Sequence, residues 1–200
     1  MLRIGVTGGI GSGKSLVSAI LRSNGIPVFD CDSRAKAIMA SDISVRKELQ
    51  SVSGIDFFPN GELDRGALAG YLFRMPENAS VVNGVVHPRV IAEYNRWCKT
   101  LDSNGIDMCA VESAVLYESE LNSFVDFIVL VDAPEEVRVD RAAKRDMADR
   151  EKIRERVRMQ ADMRILAAKA DWVIDNSGNE SRLSFHVGKM LRYIYDNKLI

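Results

Sequence analysis

The chain is poor in the residues that build disulfide frameworks and zinc centres. Its three cysteines, Cys31, Cys98 and Cys109, stand far apart and form no Cys-x-x-Cys pair. Thiols in a reducing compartment are therefore the expectation. With only His87 and His186 in 200 residues, a Cys/His zinc site lacks its ligands. Charge of one sign is missing too. Twenty-seven basic residues against 28 acidic ones leave a formal net charge of -1, where a dedicated nucleic-acid binder usually carries a basic excess. No apolar run approaches the length of a membrane span. The opening stretch MLRIGVTGG lacks the apolar run and small-residue cleavage site of a secretory signal. The expectation is a cytosolic protein that binds neither membrane nor nucleic acid, as a monomer or small homo-oligomer. No internal repeat or low-complexity tract is present. The remainder, 46% apolar and 28% charged, is enough for one main domain with an insertion.

Five short apolar runs read as strands: RIGVTG, IPVFD, MCAVES, FIVLVDA and DWVIDN. They are rich in Val and Ile and do not alternate cleanly, which is the pattern of parallel strands covered on both faces. Helical spacing follows in KSLVSAILRSN, EEVRVDRAAKR and SRLSFHVGKMLRYIYDN. Strand and helix in alternation predict an α/β fold with right-handed crossovers. Two stretches interrupt it. Residues 33–104 are far longer than a crossover and read as a helical insertion with a turn at FFPNGELD. Residues 141–160 are dense in charge. Arg141, Arg145, Arg150, Arg154, Arg156 and Arg158 lie within them and Arg164 just beyond. Such a run is either a solvated helix face laced with ion pairs or an arginine-bearing lid over an anion. Residues 1–32, 105–140 and 161–200 remain as the core.

After the first strand comes GGIGSGKS, in which Gly8, Gly13, Lys14 and Ser15 fit G-x-x-x-x-G-K-[ST]. Glycines let backbone N–H groups fold inward as an anion nest, and the next helix adds its N-terminal dipole. Lys14 is placed to neutralise the β- and γ-phosphates of a nucleotide, and the Ser15 hydroxyl to meet its Mg²⁺. Such a loop serves small-molecule kinases, nucleotide switches and ATPase motors alike. The only Asn-Lys pair, Asn197-Lys198, has no Asp to complete a guanine reader. A lid and a helical insertion favour a kinase, which must exclude water during transfer. The second strand ends in PVFDCD. Ligands of parallel sheets bind at the carboxyl ends of strands. If this strand runs to Asp32 and neighbours the phosphate-loop strand, Asp30 and Asp32 share a face and a carboxylate lands near the γ-phosphate. Asp32 is then the better placed base for an acceptor hydroxyl, with capping of the next helix as the alternative role.

GVTGGIGSGKS, DCD, HPR at His87, RAAKRD and VIDNSG occur in an order and spacing that resembles the dephospho-coenzyme A kinase family over essentially the whole chain. The resemblance implies a P-loop three-layer α/β sandwich with a five-stranded parallel sheet, a helical substrate-binding insertion and a helical lid. It implies MgATP-dependent phosphorylation of the 3′-hydroxyl of dephospho-coenzyme A, the last step of coenzyme A synthesis. Shikimate, gluconate and nucleoside monophosphate kinases, or a nucleotide switch, are the alternatives. By position, Asp32 resembles the family's general base, with Lys14 and Arg141 beside it in catalysis. Gly9, Gly11, Ser12, Gly13, Lys14, Ser15 and Leu16 correspond to the ATP cradle, with Arg141, Arg145 and Asn176 also on the nucleotide. His87 corresponds to the acceptor side, where Pro88 suits the first position of a helix. Leu16 replaces the family's usual Thr. In ESAVLYE, Glu112 keeps an acid near the metal or its waters, while Ala114 replaces a proline.

Overall fold

The computed structural model describes residues 1–197 and Leu199, so Lys198 of the Asn-Lys pair and Ile200 lie outside the described residues. The described chain divides into two compact units. One holds Met1–Asp30 and Leu101–Ile200, the other Cys31–Thr100.

The first unit is built on a parallel five-stranded sheet of order β2-β3-β1-β4-β5. The strands are β1 (Leu2–Thr7), β2 (Val28–Asp30), β3 (Met108–Glu112), β4 (Phe127–Asp132) and β5 (Trp172–Asp175). All five apolar runs form strands. β1 lies at the centre, paired with β3 on one side and β4 on the other. The strand order departs from one expectation: β3 separates β2 from β1, so β2 does not neighbour the phosphate-loop strand. The side chains explain why the sheet buries both faces. Leu2, Ile4 and Val6 alternate along β1 and pack with Val17 and Leu21 of α1 (Lys14–Ser23) and with Leu183, Val187, Met190 and Ile194 of α9 (Glu180–Asp196). On the other face, Gly5 stands where a side chain would crowd Leu116 and Val125.

α6 (Glu135–Asp146) runs without interruption through position 141, the expected start of a lid. The chain breaks instead at Met147, which takes the left-handed conformation with φ 49° and donates its N–H to Ala143 O. α7 (Arg150–Arg158) follows, and then α8 (Met163–Lys169). α7 is not simply solvated. Ile153 and Val157 pack on Val139 and Ala142 of α6, with Ile10 of the phosphate loop beside them. Around this seam Arg150 and Arg154 both pair with Glu136, Arg150 also pairs with Asp140, and Arg156 reaches Asp146. The hydrogen bond from Arg154, with the charges of both arginines, holds the Glu136 carboxyl below its ordinary value.

The second unit is helical, with α2 (Cys31–Ser41), α3 (Ile43–Ser53), α4 (Arg65–Arg74) and most of α5 (Pro76–Ser103). Asp42 and Asp64 cap α3 and α4 by accepting backbone N–H bonds. The FFPNGELD turn closes through Asp64 N to Phe57 O. In α5 the residues Val82, Val85, Val86, Val90, Tyr94 and Cys98 are buried at helical spacing. Pro88 lies inside this helix and not at its first position. A proline has no N–H for the carbonyl four residues back, here Gly84, and the flanking apolar stripe carries the helix through.

Candidate active site

The loop between β1 and α1 curls at the centre of the sheet's carboxyl edge. Two glycines force its shape. Gly11 and Gly13 have φ 74° and φ 98°. A Cβ at Gly11 would collide with the Arg138 carbonyl, and one at Gly13 with the Asn176 amide. Gly13 is the N-cap of α1 and offers no side-chain cap, whereas α3, α4, α7, α8 and α9 are all capped by Asp or Asn. Leu16 N and Val17 N bond to Gly13 O. An uncapped helix start under a glycine loop is an anion site. The Lys14 ammonium donates to Gly8 O at 2.9 Å and to Gly9 O at 3.3 Å.

The opposite wall comes from α6 and the loop after β5. Arg141 donates to Asn176 O at 2.7 Å and Gly178 O at 3.4 Å. Arg145 is held by its neighbour Asp146 through Nε at 2.7 Å and Nη2 at 3.2 Å. That hydrogen bond holds the Asp146 carboxyl below its ordinary value against a small opposing effect of burial, and the charges of Arg145 and Arg156 add to it. The Asn176 side chain, buried, donates to Ser12 O at 2.7 Å, and the Asn176 N–H to Asp132 O at 2.7 Å. Asn176 is thus a strut under the phosphate loop. Gly11, Gly13, Lys14, Ser15, Leu16, Arg141 and Arg145 line one cavity of 410 Å³.

The acids fall differently from the sequence expectation. β2 ends at Asp30, and α2 starts at Cys31 with no intervening loop, so Asp32 lies in the first helical turn and does not share a strand face with Asp30. Asp30 pairs in register with Glu112 of β3, and Glu112 with Val6 of β1. The carboxylate beside the phosphate loop is therefore Glu112, which accepts a 2.8 Å hydrogen bond from the Ser15 hydroxyl. Asp32 is exposed and belongs to the helical unit, as does His87, half-buried within α5.

These groups fit a magnesium-bound triphosphate. The Ser12 hydroxyl is buried in the loop and makes no hydrogen bond within the protein, which leaves a donor for an anion. Among the described residues no group of three His, Cys, Asp or Glu is set to hold a metal by itself. A magnesium ion accompanying phosphate oxygens would find the Ser15 hydroxyl as a protein ligand, with the Glu112 carboxylate bonded behind it.

The dephospho-CoA kinase family model matches residues 2–181. A dephospho-CoA kinase of Bacteroides fragilis is 41% identical over 194 residues, 97% of this chain and 93% of the relative. The chain belongs to the dephospho-CoA kinase family. A second relative, the dephospho-CoA kinase of Porphyromonas gingivalis, is 43% identical over 178 residues, 88% of this chain and 87% of its own. A solved Thermus thermophilus protein is similar at 33% identity with a TM-score of 0.81, covering 96% of this chain and 97% of that one. Membership in the dephospho-CoA kinase family makes the chain a kinase and sets aside the switch and motor readings.

The dephospho-CoA kinase fold brings one set of expected residues together. The loop residues, Arg141 and Arg145 share the cavity. Gly9, Ser12 and Asn176 support the loop, and Glu112 touches it through Ser15. Two residues went unread in the sequence. Arg138 lies against the loop at Gly9, and Gln160 accepts a 2.7 Å bond from the Ile10 N–H. A signal for Arg138 was present: with Arg141 and Arg145 it forms an i, i+3, i+7 stripe on one helix face.

Proposed function

We propose that this chain transfers the γ-phosphoryl group of ATP to the 3′-hydroxyl of the dephospho-coenzyme A ribose in the cytosol, completing coenzyme A. The observation that carries the reading is the single cavity into which the phosphate loop, Arg141 and Arg145 converge. The β- and γ-phosphates lie on the N–H groups at the start of α1, with Lys14 balancing their charge. Ser15, with Glu112 behind it at 2.8 Å, would hold a Mg²⁺ that would supply charge screening for the phosphate oxygens. Asp32 accepts the proton of the 3′-hydroxyl. The freed oxygen forms a bond to the γ-phosphorus as the bond from that phosphorus to the β–γ bridging oxygen breaks, and ADP leaves with that oxygen. Leu16, half-exposed, gives the adenosine side of the cavity an apolar edge. His87 serves the acceptor, and Asn176 fixes the phosphate loop through Ser12 O. α7 and the ends flanking it act as the lid.

A coupled ADP-release assay tests the acceptor. Dephospho-coenzyme A is expected to turn over, while shikimate, gluconate and nucleoside monophosphates are not. Turnover of one of those without dephospho-coenzyme A overturns the reading. The lid arginines have their own test. A planar guanidinium grips two phosphate oxygens where an ammonium offers a point charge. Arg141→Lys and Arg145→Lys are each expected to lower kcat. Arg141→Lys should cost more, because it also loses the two-carbonyl grip on Asn176 and Gly178. If steady-state kinetics of both variants match the wild type, the arginines serve only the surface ion pairs.

A further inference from the structure

α6 carries its three arginines in a row along one face: Arg138, Arg141 and Arg145. Arg141 and Arg145 line the cavity. Arg138 is the innermost of the row and only 5% exposed. Its Nε donates to Ala133 O at 3.1 Å. Among the described residues no carboxylate forms a salt bridge with it, although Glu136, Asp140 and Asp146 of the same helix are taken up by Arg145, Arg150, Arg154 and Arg156. A guanidinium withdrawn from water without an opposite charge is costly to keep. The phosphate loop is shaped around it. A side chain at Gly9 would collide with Arg138 Nη1, and one at Gly11 with Arg138 O. Two glycines of the loop are thus needed for the backbone to lie against this one residue. Gln160 and Met163 close over the same point of Gly9 and keep it from solvent.

We propose that Arg138 is a further positioning residue of the ATP site: its buried charge lies behind the phosphate loop and attracts the triphosphate held in front of it. This rests on the reading of residues 8–15 as the triphosphate cradle. Charges in a water-poor setting act over several ångströms with little screening. The counter-charge that the protein itself does not supply to Arg138 then arrives with the ligand. Arg138 also fixes the loop's resting shape through Gly9 and Gly11, so the cradle is formed before the nucleotide enters.

The test compares Arg138→Gln, Arg138→Lys and Lys14→Ala by calorimetric titration with ATP and with inorganic tripolyphosphate, and by thermal melting without ligand. Gln retains a donor for Ala133 O and removes the charge. Arg138→Gln is expected to weaken both ligands about tenfold. The loss should persist at high salt, since a buried charge is poorly screened. It should fall on KM for ATP more than on kcat. Arg138→Lys should recover part of the affinity. The unliganded melting midpoint of Arg138→Gln should hold or rise, because a costly buried charge has gone. Wild-type affinity in Arg138→Gln beside weak binding in Lys14→Ala overturns the inference and leaves the cradle standing. A melting midpoint lowered by several degrees with affinity unchanged, or failure of both Arg138 variants to fold, makes Arg138 structural and also overturns it. If the wild type binds neither ligand, the cradle reading fails and the inference with it.

Discussion

Lys14→Ala is expected to lose about a hundred- to a thousandfold in kcat, the range seen when one preorganised group is removed from developing charge. The ammonium already sits over the loop, bonded to Gly8 O and Gly9 O. Those carbonyls hold the side chain against the loop proposed to take the β- and γ-phosphates. The position lines the cavity and is absent from the buried cluster under the sheet. The fold should therefore survive, and a circular dichroism spectrum like that of the wild type is the expected companion result. Near-normal turnover with an intact spectrum would remove the phosphate loop from the mechanism altogether.

Asp32→Asn should be the next largest loss. It preserves size and shape and removes the proton acceptor, a change that typically costs about a hundred- to ten-thousandfold. The lower end is expected, because a loose transition state demands little early activation of the nucleophile. ATP affinity should change little, since the carboxylate serves the acceptor. The measurement is kcat together with ATP affinity. Should Asp32→Asn keep more than about a third of wild-type kcat, well outside the general-base range, the proton goes elsewhere. Glu112 is then the leading candidate, because it is the acid that contacts Ser15 beside the phosphates.

The local parts of this architecture are written in the chain. All five strands and the phosphate loop could be read from Val/Ile runs and glycine spacing, since both depend on neighbours a few residues away. Sheet order could not. Whether β2 or β3 lies beside β1 is decided by pairings between residues far apart in the chain, such as Leu2 with Met108. That order sets Glu112 of β3 next to β1, where the expectation was a carboxylate from the end of β2, Asp32 first and Asp30 second. Whether the strand runs on to Asp32 stays open in the sequence, because Cys31 begins a helix with no turn signal between the two elements. Pro88 looked like a helix start, and a buried valine stripe outweighs its missing N–H. Arginines of the charged run form ion pairs as a solvated face does, while Arg141 and Arg145 of the same run line the cavity. Arg138 shares a helix face with Arg141 and Arg145, but nothing in its neighbours marks it as the buried one of the three.

The junction of α6 with α7 is held by two kinds of force, one apolar and one ionic. Ile153 and Val157 are pressed on Val139 and Ala142, and this attraction fades on cooling. Glu136 between Arg150 and Arg154 is exposed, so dissolved salt weakens it, while warming lowers the cost of drying those charges. Cold brine thus undermines both halves together, and warm dilute buffer favours both. An organism's internal salt and growth temperature consequently set how firmly α7 packs on α6, next to the Gln160–Ile10 hydrogen bond that ties its end to the loop.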